Sequence, residues 1–474
     1  MNGRRRSEAP IYRASIMLLI LFTAGCGSAA PSSSGSPISA AVALSSAPFA
    51  HCEGSNSLGD NYLKDVVEPS VAMSGATIVA AWQQDRWSNG GAHGIVASAS
   101  KDGGKTWHNS VLPFGGCAPG GLGYQRADDA WVSIGPDGAV YATGMVFDGG
   151  SGEHNSMAAA VSRDGGLTWR HAQIIDARNS NAQFFDDKDT VKADPIRAGT
   201  AYAVWRWERP DNGSPLVFAR TTDGGVQWSK PRVILPVGGR TLAAIGGQIV
   251  VDPRTGTLFN VFLYVLKPSP SARPQGWMAV MSSRDGGTTW SRPHLMVRTG
   301  ESTVQFPVRI GVTPVVAYDL KHRVLDVVWN DSRFNHRRYD GVIFTRSGDG
   351  IHWSGPLRID SPAGKAAFDP MVAATQDGTV AVTYYQIRRA NAGKNRWLTD
   401  YWIRSSTDGG KVFGPPRHVA GPFDVTTAPI VKGGYFVGDY QGLAAGRTGF
   451  ALLFVQTTHK GGAPTQVSAA TVNR

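Results

Sequence analysis

Short apolar runs, each closed by Gly, Pro or Asp, recur along this chain. "ATIVAAWQQD" (76–85), "GAVYATGMVF" (138–147), "GTAYAVWRW" (199–207), "TLFNVFLYV" (257–265), "RVLDVVWND" (323–331) and "GTVAVTYYQI" (378–387) are rich in Val, Tyr, Phe and Trp. That composition and length predict strands, and no segment shows a helical period. Downstream of each run stands a turn of one design: "SKDGGKTW" (100–107), "SRDGGLTW" (162–169), "TTDGGVQW" (221–228), "SRDGGTTW" (283–290), "SGDGIHW" (347–353) and "STDGGKVF" (406–413). Their aspartates, Asp102, Asp164, Asp223, Asp285, Asp349 and Asp408, are spaced 62, 59, 62, 64 and 59 residues apart. An Asp side chain accepts from backbone N–H groups just ahead of it, and Gly supplies the positive φ of a tight turn. The Trp then fills the gap between neighbouring sheets. These aspartates are therefore expected to be structural.

Four antiparallel strands per ~60 residues, repeated, is the signature of an all-β protein built as a β-propeller. Six turns mark six blades. The stretch 437–472 reads as three more strands without such a turn. A strand from "ISAAVALSS" (38–46) would complete a seventh blade and leave no open edge. Seven blades are favoured over six.

The turns match the Asp box, S-x-D-G-G-x-T-W. On these residues the chain resembles the sialidase-like (bacterial neuraminidase repeat) propellers, and specifically exported bacterial members, over nearly all of its length after about residue 50. "WQQDRWSNGG" (82–91), "YQRADDAWVSIGPDG" (124–138) and "FVGDYQGLAA" (436–445) extend the match. The resemblance implies a fold more firmly than an activity, because one fold hosts many functions.

The N-terminus carries "RRR" (4–6) and Arg13, then "IMLLILF" (16–22) and "TAGC" ending at Cys26. This order reads as a lipoprotein export signal over 1–25, with Cys26 as the lipidated residue and Thr23 where such signals usually have Leu. The apolar run is far below the ~20 residues that span a bilayer. An ordinary secretory signal cleaved elsewhere is the alternative. Residues 26–46 form a flexible tether holding the ring-closing strand, and 47–474 the propeller. The expected location is thus outside a membrane, anchored by lipid only, or secreted.

Charge changes the picture modestly. The chain has 47 basic and 36 acidic residues, a net +11. The first 25 residues hold four Arg and one Glu, which leaves +8. Such a balance suits acidic partners such as anionic glycans. There is no nucleic-acid motif, so no nucleic-acid partner is expected. With Cys26 lipidated, Cys52 and Cys117 remain, and in an exported protein such a pair often bonds. Neither has zinc-ligand spacing, and no metal or cofactor is expected.

In a propeller the first strand of a blade starts on one face and the second strand returns to it, while the boxes fall on the other. Strand starts then bring Glu68, Asp128, Asp129, Asp187, Asp189, Asp369 and Asp439 to the box-free face. Second-strand ends add Asp85, Arg86, Arg206, Glu208, Tyr264, Asp331, Arg333, Tyr385 and Arg388, and Arg126 joins from a loop. The resemblance to sialidases implies arginines gripping a substrate carboxylate, a Tyr nucleophile made basic by a carboxylate, and an Asp acid/base. Placement assigns these roles to Arg86, Arg126, Arg206, Arg333 and Arg388, to Tyr440 with Glu68, and to Asp85. The family's N-terminal signature, Phe or Tyr followed by Arg-Ile-Pro, is absent, and the nearest string, "FPVRIGV" (306–312), has another order and place.

Three functions stay open. An exo-acting, sialidase-type glycosidase would show a compact pocket with converging arginines. A non-catalytic glycan- or protein-binding propeller would expose Trp87, Trp207 and Tyr385 for stacking. An interaction or assembly platform would show a flat apolar rim.

Overall fold

The apolar runs become the second strands of a repeated four-stranded sheet. They are buried on both faces because successive sheets stand face to face around an axis. Thr77–Arg86, Val140–Phe147 and Ala201–Glu208 are almost wholly buried over their lengths. Trp82, Trp205 and Trp329 occupy these strands with no exposed surface. Their indole N–H groups stay satisfied, Trp205 donating to Asp186 at 2.8 Å and Trp329 to Asp331 at 3.0 Å.

The computed structural model describes residues 37–474 except 45, 53–58, 150–153, 177–183, 210–212, 270, 301, 303–306, 312, 362–364, 392–395, 459 and 474. The export signal, Cys26 and most of the tether lie outside the described residues. Among the described residues, helix is limited to three short 3-10 turns. Among the described residues the strands fall into seven antiparallel groups of four, with Ile430–Val431 and Gly434–Tyr435 paired apart from them. Their first strands are Val66–Ser74, Arg126–Ile134, Phe185–Ala193, Thr241–Asp252, Val315–Asp319, Ala367–Ala374 and Gly442–Ala445. The first two groups are joined by a single pair, Ala92 opposite Ala127. Each first strand packs on the next, and the seventh packs back on the first. All seven line one central channel of about 470 Å³.

The last blade is completed from the other end of the chain. Val42 and Ala43 pair with Ala469 and Ser468 of Thr465–Val472. Thr465 fastens that strand to blade one: its hydroxyl accepts from Val66 N at 2.8 Å and donates to Asp65 at 2.6 Å. The N-terminal segment is also tied down covalently, since Cys52 and Cys117 are bonded with Cα atoms 6.0 Å apart.

The Asp-Gly turns show why they repeat. Asp102 accepts from the N–H groups of Lys105 and Thr106 at 3.0 and 2.9 Å and from the Thr106 hydroxyl at 2.6 Å. Ser100 accepts from Gly104 N at 2.8 Å, with Gly103 and Gly104 at φ 75° and 90°. Trp107, Trp290 and Trp353 donate back to a glycine carbonyl of their own turn, whereas Trp169 donates to Ser110 of the preceding blade at 3.1 Å. The same hydrogen bonds hold Asp164 well ionised, with a pKa lowered to about 2. These carboxylates are fully engaged in turn geometry.

Candidate functional site

A local irregularity repeated in the first strands builds the site. Near the box-free end of the first, second, third, fourth and sixth of them, pairing slips between Val67 and Ser70, Asp128 and Trp131, Asp187 and Thr190, Ile245 and Gln248, and Phe368 and Met371. Each bulge contains one residue in the left-handed region: Glu68 (φ 55°), Asp129 (49°), Lys188 (55°), Gly246 (64°) and Asp369 (48°). Only the fourth blade uses the residue that adopts this conformation without strain. Elsewhere a charged side chain is held there at a cost of roughly 1–3 kcal/mol per residue. Bulges of this kind re-aim side chains, and here they gather charge at one mouth of the channel.

Lys188 is the hub. Its ammonium lies 2.7 Å from Asp439, 3.6 Å from Asp129 and 3.7 Å from Glu68. Its own N–H donates to Asp129 at 2.9 Å. Glu68 accepts from Asp439 N at 3.0 Å and from the Gln83 amide, whose oxygen in turn meets Arg86. Arg86 reaches Asp128 at 3.0 Å, and Asp128 accepts from Gly91 N at 2.8 Å. Arg309 grips Asp439 with two nitrogens, Nε at 3.0 Å. The guanidinium groups of Arg86 and Arg309 lie 4.9 and 4.6 Å from the centroid of one ring, Phe436.

The carboxylates are not driven in one direction. Burial pushes Glu68 and Asp129 upward, because one lysine divided among three acids offsets only part of the desolvation. Asp439 is also buried, but Lys188 and Arg309 together hold it below the usual carboxylate range. Asp189 and Asp369, at the margins, are raised by burial. The oxygens of Glu68, Asp128 and Asp129 lie within 4.8 Å of one another. That spacing could hold a cation, yet Lys188 and Arg86 already place positive charge there.

The residues expected from sequence divide. Glu68, Asp128, Asp129, Asp439 and Arg86 meet at the centre. Arg206 stands beside them, held by Asp187 and by Glu208 at 2.9 Å. Arg126 lies 4.5 Å from the Trp87 ring centroid and donates to Asn89 at 2.8 Å, and burial lowers its pKa to about 10. Arg333 and Arg388 correct the expectation of a five-arginine cluster. Arg333 is chelated by Asp331 at 2.8 and 2.6 Å, and Arg388 by Asp400 at 2.7 and 3.2 Å, each within its own blade. Asp85 is likewise spent inside blade one, on Lys64 N at 2.7 Å, Gln84 at 2.8 Å and His93 at 3.4 Å.

Tyr440 does not adopt the arrangement of an activated nucleophile. Its hydroxyl donates to the Ala130 carbonyl at 3.5 Å, and burial with Asp129 and Glu68 nearby drives its pKa well up. It lines a small cavity with Trp131, Lys188, Asp189 and Gln248. The stacking platform is absent too. Trp87 and Trp207 are 4 % exposed and Tyr385 is fully buried, donating to Val455 O at 2.5 Å.

Two central residues escaped the sequence reading. Lys188, in "FDDKDTV", occupies the bulge position held by Glu68, Asp129 and Asp369, so aligning the repeats would have found it. Arg309 precedes the fifth first strand in a segment with no strand signal. It reaches the centre only because Val308 bridges to Tyr435 and Arg309 N donates to Tyr435 O at 2.9 Å.

No family model and no curated protein matches the chain. Among solved structures it is similar to a Hadza microbial sialidase, with 15% identity over 79% of this chain and 76% of that one and a TM-score of 0.47. It is also similar to an alpha-L-arabinofuranosidase from Fusarium graminearum, with 14% identity over 92% and 98% and a TM-score of 0.45. An intramolecular trans-sialidase from Ruminococcus gnavus aligns at 13% identity over 88% and 96%, with a TM-score of 0.43. At these values no substrate and no residue role transfers.

Proposed function

We propose that this propeller is an exported glycoside hydrolase that takes an anionic glycan at the box-free mouth. One observation carries the reading: around a single lysine, Lys188 and Arg309 hold Asp439 below the usual carboxylate range while burial raises Glu68 and Asp129. Glycoside hydrolysis needs such a divided pair, a carboxylic acid to protonate the leaving oxygen and a carboxylate to support the cationic transition state. In this reading Asp129 donates the proton and Asp439 remains ionised. Arg309 and Lys188 are the most open members of the cluster, with side chains 30% and 15% exposed, against 10% for Asp128 and 6% or less for Asp439, Asp129, Glu68 and Arg86. An approaching glycan therefore meets positive charge first, which favours a carboxylated sugar. Lipid anchoring through Cys26 would hold the enzyme at the outer side of a membrane.

A second reading, glycan binding without turnover, is favoured by Tyr440, which is bonded to a backbone carbonyl and poorly placed to attack. A panel of sialosides and other chromogenic glycosides, run beside a glycan-binding array, separates the two. Turnover lost in Asp129→Asn and kept in Tyr440→Phe supports the proposal. Turnover lost in Tyr440→Phe restores the tyrosine mechanism. Retention of glycan with no turnover by the wild type selects the binding reading, and neither activity overturns both.

A further inference from the structure

The chain enters the propeller on the face opposite the mouth. Ile38 pairs with Val472, Val472 with Phe450, and Phe450 with Ala445, where the first strand of blade seven reaches its turn. The turns after the first strands adjoin the boxes, as in blade three, where Gly224 N donates to Gly199 O at 2.8 Å. Pro37, the first described residue, therefore stands at the box face.

The tips of that face are apolar. Leu167, Val226 and Ile351 follow the box glycines, and Ile196 and Leu320 lie in the turns after the first strands of blades three and five. Their exposure runs from 38% for Leu167 to 55% for Ile351. The box does not require this. It uses only the backbone N–H of that residue, as Leu167 N donates to Asp164 at 3.1 Å, and blades one and four place Lys105 and Thr288 there. Val412 goes further. At its position Thr106, Thr168 and Thr289 donate a hydroxyl to the box aspartate at 2.6 Å. Valine gives up that bond and is 68% exposed, the most of any large apolar side chain among the described residues. Apolar side chains gathered on one exposed face mark an interaction surface. Lys105, Lys321 and Arg447 are exposed in the same turns, but every box also brings its aspartate, so the contact on offer is apolar.

The length of the tether says what this face meets. Cys26 precedes Pro37 by 11 residues, a reach of at most ~40 Å. The nine-residue first strand Val66–Ser74 is about 30 Å long and sets the depth of the ring from box face to mouth. With the mouth toward the lipid, most of the tether would be used in running back along a blade. With the box face toward the lipid, the tether is free and the apolar tips are covered.

We propose that the box face rests on a lipid surface through these six apolar side chains, so that the mouth opens away from the membrane. This rests on the anchoring at Cys26 proposed above. The full chain with Cys26→Ser carries no lipid, and with Cys52 and Cys117 bonded an introduced cysteine is its only free thiol. A bimane label is placed at Val412→Cys or at Leu63→Cys, the latter exposed on the mouth face, where Tyr62 N donates to Arg86 O at 2.8 Å. On phosphatidylcholine vesicles the label at 412 should be quenched by lipid-borne nitroxide and shielded from aqueous iodide, and the label at 63 should behave in the opposite way. Leu167→Ser with Val226→Ser and Ile351→Ser should lower vesicle partition at least about tenfold, since less apolar area enters the interface, with Tm unchanged. No vesicle binding by the parent chain, equal or reversed quenching at the two labels, or undiminished partition of the triple variant would overturn the proposal. Lipidation of Cys26 is read separately, from the mass of the membrane-bound wild type, so the two can fail independently.

Discussion

Replacing Lys188 by Met keeps most of the side-chain volume and removes the cation shared by Glu68, Asp129 and Asp439. Deleting one partner of a buried ion pair costs about 3–5 kcal/mol. Two features favour the lower end. Asp439 keeps Arg309, and Glu68 and Asp129, already raised by burial, can relieve the loss by taking up a proton. A loss of about 3 kcal/mol at pH 7 follows, and at roughly 1 °C per kcal/mol for a chain of this size the Tm should fall by about 3 °C. The pH dependence has a definite sign. An acid whose folded pKa lies above its unfolded value stabilises fully below the unfolded value, and that contribution is lost as pH rises through the folded one. Without Lys188, Glu68 and Asp129 lie higher still and Asp439 loses one of the two cations that hold it low, so the deficit should be small near pH 4 and grow toward pH 8. The assay is thermal unfolding of both proteins across that range. A deficit below about 1 °C at pH 7, or one equal at pH 4 and pH 8, would refute the hub role. Glu68→Gln added to Lys188→Met should recover part of the loss.

The remaining predictions concern closure and location. A chain ended after Gly434 lacks the three strands that Val42–Ala43 completes into the last blade, and it should yield no cooperative unfolding transition; a soluble, cooperatively melting truncation would contradict ring closure through 442–472. Cys52→Ser with Cys117→Ser opens a link spanning 65 residues and should destabilise by roughly 2–5 kcal/mol in denaturant titration, with reducing agent giving the same loss in the wild type. If Cys26 is lipidated, mass spectrometry of the membrane fraction should find a mature chain beginning at modified Cys26, and a solely soluble form with a free N-terminus beyond it would end that proposal.

The repeat was legible because its physics is local. An Asp, two glycines and a Trp within eight residues define a turn by themselves, and the apolar runs report strands buried on both faces. Strand starts and ends could likewise be assigned to one face, which brought Glu68, Asp128, Asp129, Asp439 and Arg86 into view. Partner choice was not legible, because it depends on separations the chain does not encode locally. Whether Arg333 and Arg388 point to the axis or fold onto Asp331 and Asp400 is decided by side-chain reach within one blade. Lys188 meets Asp439 across 251 residues, and Arg309 meets it across 130. The meeting of Lys188 and Arg309 on Asp439, which holds it low while burial raises Asp129, and the burial that disarms Tyr440 exist only once the ring has closed around them.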